Sequence, residues 1–146
     1  MKLSTFRTLG LVALSFAAGC FLTARFSAPE KVSAASNRVY ELRVYHAMPG
    51  KLGDIVKRFK DDTRAVFEKH DMTSIGYWTP QDSPAKDNTL IYVISHPSRE
   101  AAAKNWKAFA TSDEWKAIVA RTEANGKLVE KIDSTFMDPT DYSGLK

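Results

Sequence analysis

The sequence predicts an α+β domain: a four-stranded antiparallel sheet with its helices packed on one side. Three features carry that expectation. Arg38 to His46 alternates residue by residue, the period of a strand. Leu52, Ile55, Val56, Phe59, Thr63, Val66 and Phe67 recur at helical spacing over about 16 residues, with charges between them. Leu90-Ile91-Tyr92-Val93-Ile94 is an unbroken apolar run closed by Pro97, short enough for a buried strand.

The remaining elements fit between these. In the first strand Tyr40, Leu42 and Val44 share one face, and Val39, Glu41, Arg43 and Tyr45 the other. Ala47-Met48-Pro49-Gly50 is a turn, and His70-Asp71-Met72 ends the first helix. Thr73 to Thr79, with Ile75, Tyr77 and Trp78, reads as the second strand. The Pro- and Asp-containing stretch from Pro80 to Asn88 reads as a loop, and Thr89 to Ser95 as the third strand. Ser98 suits a helix N-cap, because its hydroxyl accepts from a free amide of the first turn. Ala101, Ala102, Asn105, Trp106 and Phe109 follow it at helical spacing. Ser112-Asp113 opens a shorter helix with Trp115, Ile118, Val119 and Thr122. Gly126 suits a left-handed residue after it. Leu128 to Met137 is the last strand. The order is β-α-β-β-α-α-β, the ferredoxin-like split β-α-β arrangement.

The domain is expected at 38–137, with a linker at 27–37 and a polar tail at 138–146. Residues 1–26 read as a secretory signal or signal anchor: basic Lys2 and Arg7, then no charge from Thr8 to Ala24. Three fates are compatible with it. Peptidase cleavage fits Val32-Ser33-Ala34, and lipidation fits Ala17-Ala18-Gly19-Cys20. Retention would leave a membrane tether. Each places the domain outside the cytoplasm, periplasmic, secreted or tethered. No cysteine follows Cys20. That removes cysteine nucleophiles and cysteine-ligated metals from consideration.

The formal charge of +4 sits mostly in the leader: residues 1–35 carry +3 and the remainder +1. Acids and bases alternate along the domain, as in Lys57-Arg58-Phe59-Lys60-Asp61-Asp62. A nucleic-acid partner, which needs a clustered basic surface, is not expected. A membrane partner is expected only through the N-terminal segment.

The third strand is apolar on both faces, whereas a sheet with helices on one side should be polar on the other. Leaving two or three aliphatic side chains wet forgoes about 1.5–3 kcal/mol each. The expectation is a second copy covering that side, giving a homodimer with facing sheets; the alternative is a monomer whose open side is somewhat apolar.

Candidate chemistry is sparse. Glu41, Arg43 and Tyr45 share a strand face, and His96 ends the third strand. If that face looked into a dimer interior it would offer a ligand a carboxylate, a guanidinium and a phenol. Arg43 would hold a carboxylate or phosphate. The competing reading pairs Glu41 and Arg43 with their neighbours as buried charges, and the rarity of unpaired buried charge favours it. His46 and His96, at strand ends, could approach each other but lack a third ligand, so no metal is expected. Trp78, Trp106 and Trp115, with Phe59, Phe67 and Phe109, lie at core spacings and read as packing. No Gly-rich phosphate loop, G-x-S-x-G elbow or His-Glu-x-x-His sequence occurs, and no cofactor is expected.

The ordered set Tyr40-Glu41-Leu42-Arg43-Val44-Tyr45, Pro49-Gly50-Lys51-Leu52, His70-Asp71-Met72, Ile75-Gly76-Tyr77-Trp78-Thr79, Ser98-Arg99-Glu100-Ala101-Ala102, Asp113-Glu114-Trp115 and Phe136-Met137 through Tyr142-Ser143 resembles the NIPSNAP family. The resemblance implies a dimeric α+β barrel of two ferredoxin-like subunits. The wider barrel superfamily includes cofactor-free monooxygenases, haem enzymes and isomerases. The expectation is therefore an exported homodimeric small-molecule-binding or interaction module. The alternative is a cofactor-independent, monooxygenase-like enzyme with Tyr or His as proton acceptor.

Overall fold

The computed structural model describes residues 38–145. The expected leader and linker, and the three fates of the leader, lie outside the described residues. Strand β1 (Val39–Ala47) leads to helix α1 (Leu52–Arg58), which runs through a π-helical turn (Phe59–Thr63) into α2 (Arg64–Lys69). Strand β2 (Thr73–Trp78), a short 3-10 turn and β3 (Thr89–His96) follow. Then come α3 (Arg99–Thr111), α4 (Asp113–Thr122) and β4 (Val129–Met137). The sheet order is β2-β3-β1-β4, antiparallel throughout. This is the expected ferredoxin-like α+β topology.

The first helix differs from its expected form by the π turn. Ile55, Phe59, Thr63 and Phe67, all buried, follow one another at steps of four. Each such step overshoots an ideal turn by about 40°. A wider turn absorbs the drift and keeps Thr63 and Phe67 on the sheet, and the Thr63 hydroxyl donates to the Arg58 carbonyl at 3.2 Å. Arg58 is thereby buried, its guanidinium 2.8 Å from Glu123, while Val56 is 38% exposed.

Helix α2 ends as the sequence suggests. Asp71 adopts φ 55°. Its amide donates to the Glu68 carbonyl at 3.3 Å, and that of Met72 donates to Phe67 at 3.0 Å. This is a Schellman ending, with Met72 and Phe67 fully buried beside it. An aspartate in the left-handed region carries strain that glycine lacks. Asp71→Gly is expected to raise the urea-unfolding free energy by about 0.5 kcal/mol or more. Ser98 caps α3 as expected, and Ser112 caps α4; they accept from the amides of Ala101 and Trp115 at 3.1 and 3.2 Å.

The core lies between sheet and helices. It contains Tyr45, Ile55, Phe59, Phe67, Met72, Leu90, Tyr92, Ile94, Phe109 and Ile118. Aromatic rings fill much of it, with Phe59 and Tyr92 centred 5.0 Å apart and Phe109 and Trp115 4.5 Å apart. Trp106 and Trp115 pack here as expected. Trp78 does not; it is 52% exposed.

The strand register decides what the other face presents. Directly paired residues share a face. One row runs Trp78, Ile91, Val44, Asp133; the next Gly76, Val93, Leu42, Thr135; the third Thr73, Ser95, Tyr40, Met137. The middle of this open face is aliphatic, and its margins mix polar Thr73, Asp133 and Thr135 with apolar Trp78 and Met137. The tail bends beside one end, where Asp138, Pro139, Thr140, Ser143 and Leu145 line a groove of about 340 Å³ with Tyr40, Ile75, Trp78, Val93 and Met137.

Candidate functional site

On the helix side the register sets Glu41 opposite Ile94 and Phe136, Arg43 opposite Tyr92 and Ser134, and Val39 opposite His96. The face of β1 that carries Glu41, Arg43 and Tyr45 therefore lies under the helices. This corrects the idea that these residues would look across the open side into a dimer interior. The reason is the partner strand: Leu90, Tyr92 and Ile94 form the bulkier face of β3, the helices cover it, and the pairing commits Glu41, Arg43 and Tyr45 to the same side.

Glu41 is buried and surrounded by donors. Its Oε1 accepts from Arg43 at 2.8 Å and from the Ser134 hydroxyl at 2.6 Å. Its Oε2 accepts from the Trp106 indole at 2.6 Å and meets His96 Nε2 at 3.0 Å. Burial pushes the carboxyl up, but the hydrogen bonds from His96, Ser134 and Trp106 and the Arg43 charge overcome this and hold it at about 2. Glu41 is thus ionised at neutral pH. A carboxylate only accepts, so His96 Nε2 carries the proton in their bond. That leaves His96 Nδ1 buried without a partner among the described residues. The His96 ring is fully buried, near Trp106 and Phe136.

The structure brings Glu41, Arg43 and His96 into one cluster. Tyr45 stands at its margin, its ring 5.8 Å from the Arg43 guanidinium carbon, and packs on Phe59 and Tyr92. Sequence reasoning did not place Trp106 and Ser134 in the cluster. Trp106 reads as helical core, and only the approach of α3 to β1 turns its indole onto Glu41. His46 and His96 do not approach each other. In the antiparallel β1–β3 pair, His46 lies opposite Thr89 and His96 opposite Val39, at opposite ends. His46 instead meets Asp133 at 2.9 Å.

Beside the cluster is a pocket of about 450 Å³, lined by Glu41, Arg43, Arg99, Glu100, Ala103, Trp106, Ser134 and Phe136. The Arg43 guanidinium carbon lies 4.1 Å from the centre of the Trp106 ring, and that of Arg99 3.3 Å from the centre of Phe136. Both are cation–π contacts.

Glu41, Tyr77 and Tyr92 are poor proton acceptors at neutral pH. A carboxylate at about 2 is a weak base. Burial pushes the Tyr77 phenol up, against the opposing hydrogen bond from Ser74, and pushes Tyr92 well up. Neither supplies a phenolate at neutral pH.

Comparison with known proteins agrees with this architecture. The NIPSNAP family model matches residues 40–144. No curated protein matches the chain. A NIPSNAP family protein of Agrobacterium tumefaciens is 23% identical, with 75% of this chain and 99% of that one covered at a TM-score of 0.64. A second from the same organism, of unknown function, is 19% identical, with coverage of 76% and 96% and a TM-score of 0.65. An uncharacterised NIPSNAP-like domain protein of Burkholderia xenovorans is 18% identical, with coverage of 74% and 90% and a TM-score of 0.63. At these identities the solved structures show the fold. The family match, running from the first strand through most of the tail, shows that this chain belongs to the NIPSNAP family.

Proposed function

We propose that this chain is an exported small-molecule-binding module that works as a homodimer, its two open sheet faces packed together. The observation that carries the pairing is the open face. Leu42, Val44, Ile91 and Val93 are only half-buried, and Ile75, Trp78 and Met137 are 36%, 52% and 36% exposed. The tail does not finish the covering and adds two exposed apolar side chains of its own, Tyr142 at 87% and Leu145 at 50%. An aliphatic centre with Asp133, Thr135 and Thr73 at its margins has the anatomy of a subunit interface. A second copy meets it with the same patch about a two-fold axis. The binding part of the reading belongs to the helix side, where the pocket beside Arg43 lies. Export rests on the basic, then uncharged, opening of the sequence.

Intact mass under native and then denaturing conditions tests the three parts together, on protein expressed from the whole sequence in a bacterial host. The expected native species contains two chains and a small retained molecule. It comes from the extracytoplasmic or membrane fraction. A denatured mass below 16.3 kDa would report leader removal. A native mass of one chain contradicts pairing, and recovery only from the cytoplasm contradicts export.

A further inference from the structure

Resting on the reading of this chain as a binding module, we propose that the pocket between α3 and β4 binds a small organic carboxylate with a flat apolar body. Arg43 and Arg99 would hold the carboxylate, and Trp106 and Phe136 the body.

The polar inventory of the pocket points to an anion. Glu41 looks like an acceptor but its oxygens are taken. Four side chains contact them: Arg43, Ser134, Trp106 and His96. Glu100, on the rim, is exposed, and its carboxyl is held low by its own backbone amide and by Ser98. The donors are not taken. Arg43 has five N–H groups, and Glu41 is their one protein acceptor among the described residues. Its Nε is buried with no partner. A buried donor without an acceptor is costly, and each such group calls for an explanation. Arg99 makes no salt bridge among the described residues; its contact is the face of Phe136. The pocket thus presents two guanidinium groups with unused donors; of its two carboxylates, Glu41 is paired with Arg43 and Glu100 lies on the exposed rim.

The rest of the lining selects the ligand body. Trp106, Phe136 and Ala103 are apolar, and the two rings are already faced by the guanidinium groups. A planar group can pack against the edges of these rings and over the guanidinium planes that cover them. The volume is within the range of small-molecule sites. The site is formed by one chain, on the side of the sheet away from the open face, so it does not need the second copy.

The test uses 1-naphthoate and the uncharged 1-naphthalenemethanol, titrated calorimetrically into the full-length protein. Arg99→Gln is the informative variant, because Arg99 is exposed and its loss leaves the Glu41 cluster intact. Arg121→Gln, on α4 and outside the pocket lining, controls for general charge. Naphthoate is expected to saturate one site per chain and to bind about tenfold more tightly than the alcohol. Arg99→Gln should weaken naphthoate by about tenfold and leave the alcohol unchanged. Arg99→Lys should recover part of the loss, and Arg121→Gln should change neither. Equal affinity for the two probes overturns the carboxylate assignment but leaves the binding-module reading standing. Equal weakening by the two glutamine variants also overturns it, since attraction would then be unspecific. If neither probe binds, the assignment fails. The broader reading then fails too if the native protein carries no retained molecule.

Discussion

Replacing Glu41 with Leu is expected to lower the unfolding free energy by about 3–5 kcal/mol, the cost of breaking a buried ionic cluster by removing one member. Urea denaturation followed by circular dichroism measures it. The magnitude follows from what the carboxylate satisfies. Without it the Arg43 guanidinium, the Trp106 indole and the Ser134 hydroxyl lose their acceptor at once. His96 loses the partner of its one bonded nitrogen. A single domain has about 5–15 kcal/mol in total, so this one change takes a large share of it.

The same cluster sets an acid limit. The Glu41 carboxyl falls from 4.5 to about 2 on folding. A folded-state value below the unfolded one gives stability that is fully present above about pH 4.5. That stability is lost as pH falls towards about 2. After discounting for screening through the open pocket, the contribution is about 2 kcal/mol. Glu41→Gln removes the titrating group. The stability gap between wild type and Glu41→Gln is therefore expected to narrow by about that amount between neutral pH and about pH 2. A gap independent of pH would mean that folding leaves the proton affinity of the carboxyl unchanged, and a gap that widens towards acid would mean that folding raises it.

The second large effect lies on the open face. Val93 sits at its centre, paired with Leu42 on one side and Gly76 on the other. Val93→Asp is expected to convert the proposed homodimer to a folded monomer. A charge buried without a partner in each of two facing sheets costs several kcal/mol. In one chain alone the same residue is half-buried, and the aspartate reaches water. Chromatography with light scattering reports the mass, and circular dichroism the fold. Trp78→Ser, nearer the margin, should weaken pairing less. A Val93→Asp protein that still dimerises would place the interface elsewhere.

Much of the fold was legible because each element declares itself locally. The alternation of β1, the stripe from Leu52 to Phe67 and the serine caps at Ser98 and Ser112 are short-range signals. The π turn is harder to see. Its trace is the four-residue spacing from Ile55 through Phe67, easily taken for an ordinary stripe. The site was half legible. Glu41, Arg43 and Tyr45 stand out as charged or polar residues on one strand face, but alternation alone does not say which face the helices cover. The signal that answers it lies in β3. Leu90, Tyr92 and Ile94 outweigh Ile91 and Val93, so they take the core side. Pairing Glu41 with Ile94 then puts the carboxylate under the helices. Trp106 and Arg99 are beyond such reasoning, because they join the site through the packing of α3 over the sheet, Trp106 on Glu41 and Arg43 and Arg99 on Phe136, contacts between residues far apart in the chain.

The pairing of two chains through the bare side of the sheet is tested most directly by sedimentation equilibrium of the full-length protein, diluted through the low micromolar range. The expected mass is that of two chains, persisting on dilution and lost in Val93→Asp. A folded single chain throughout that range would contradict it.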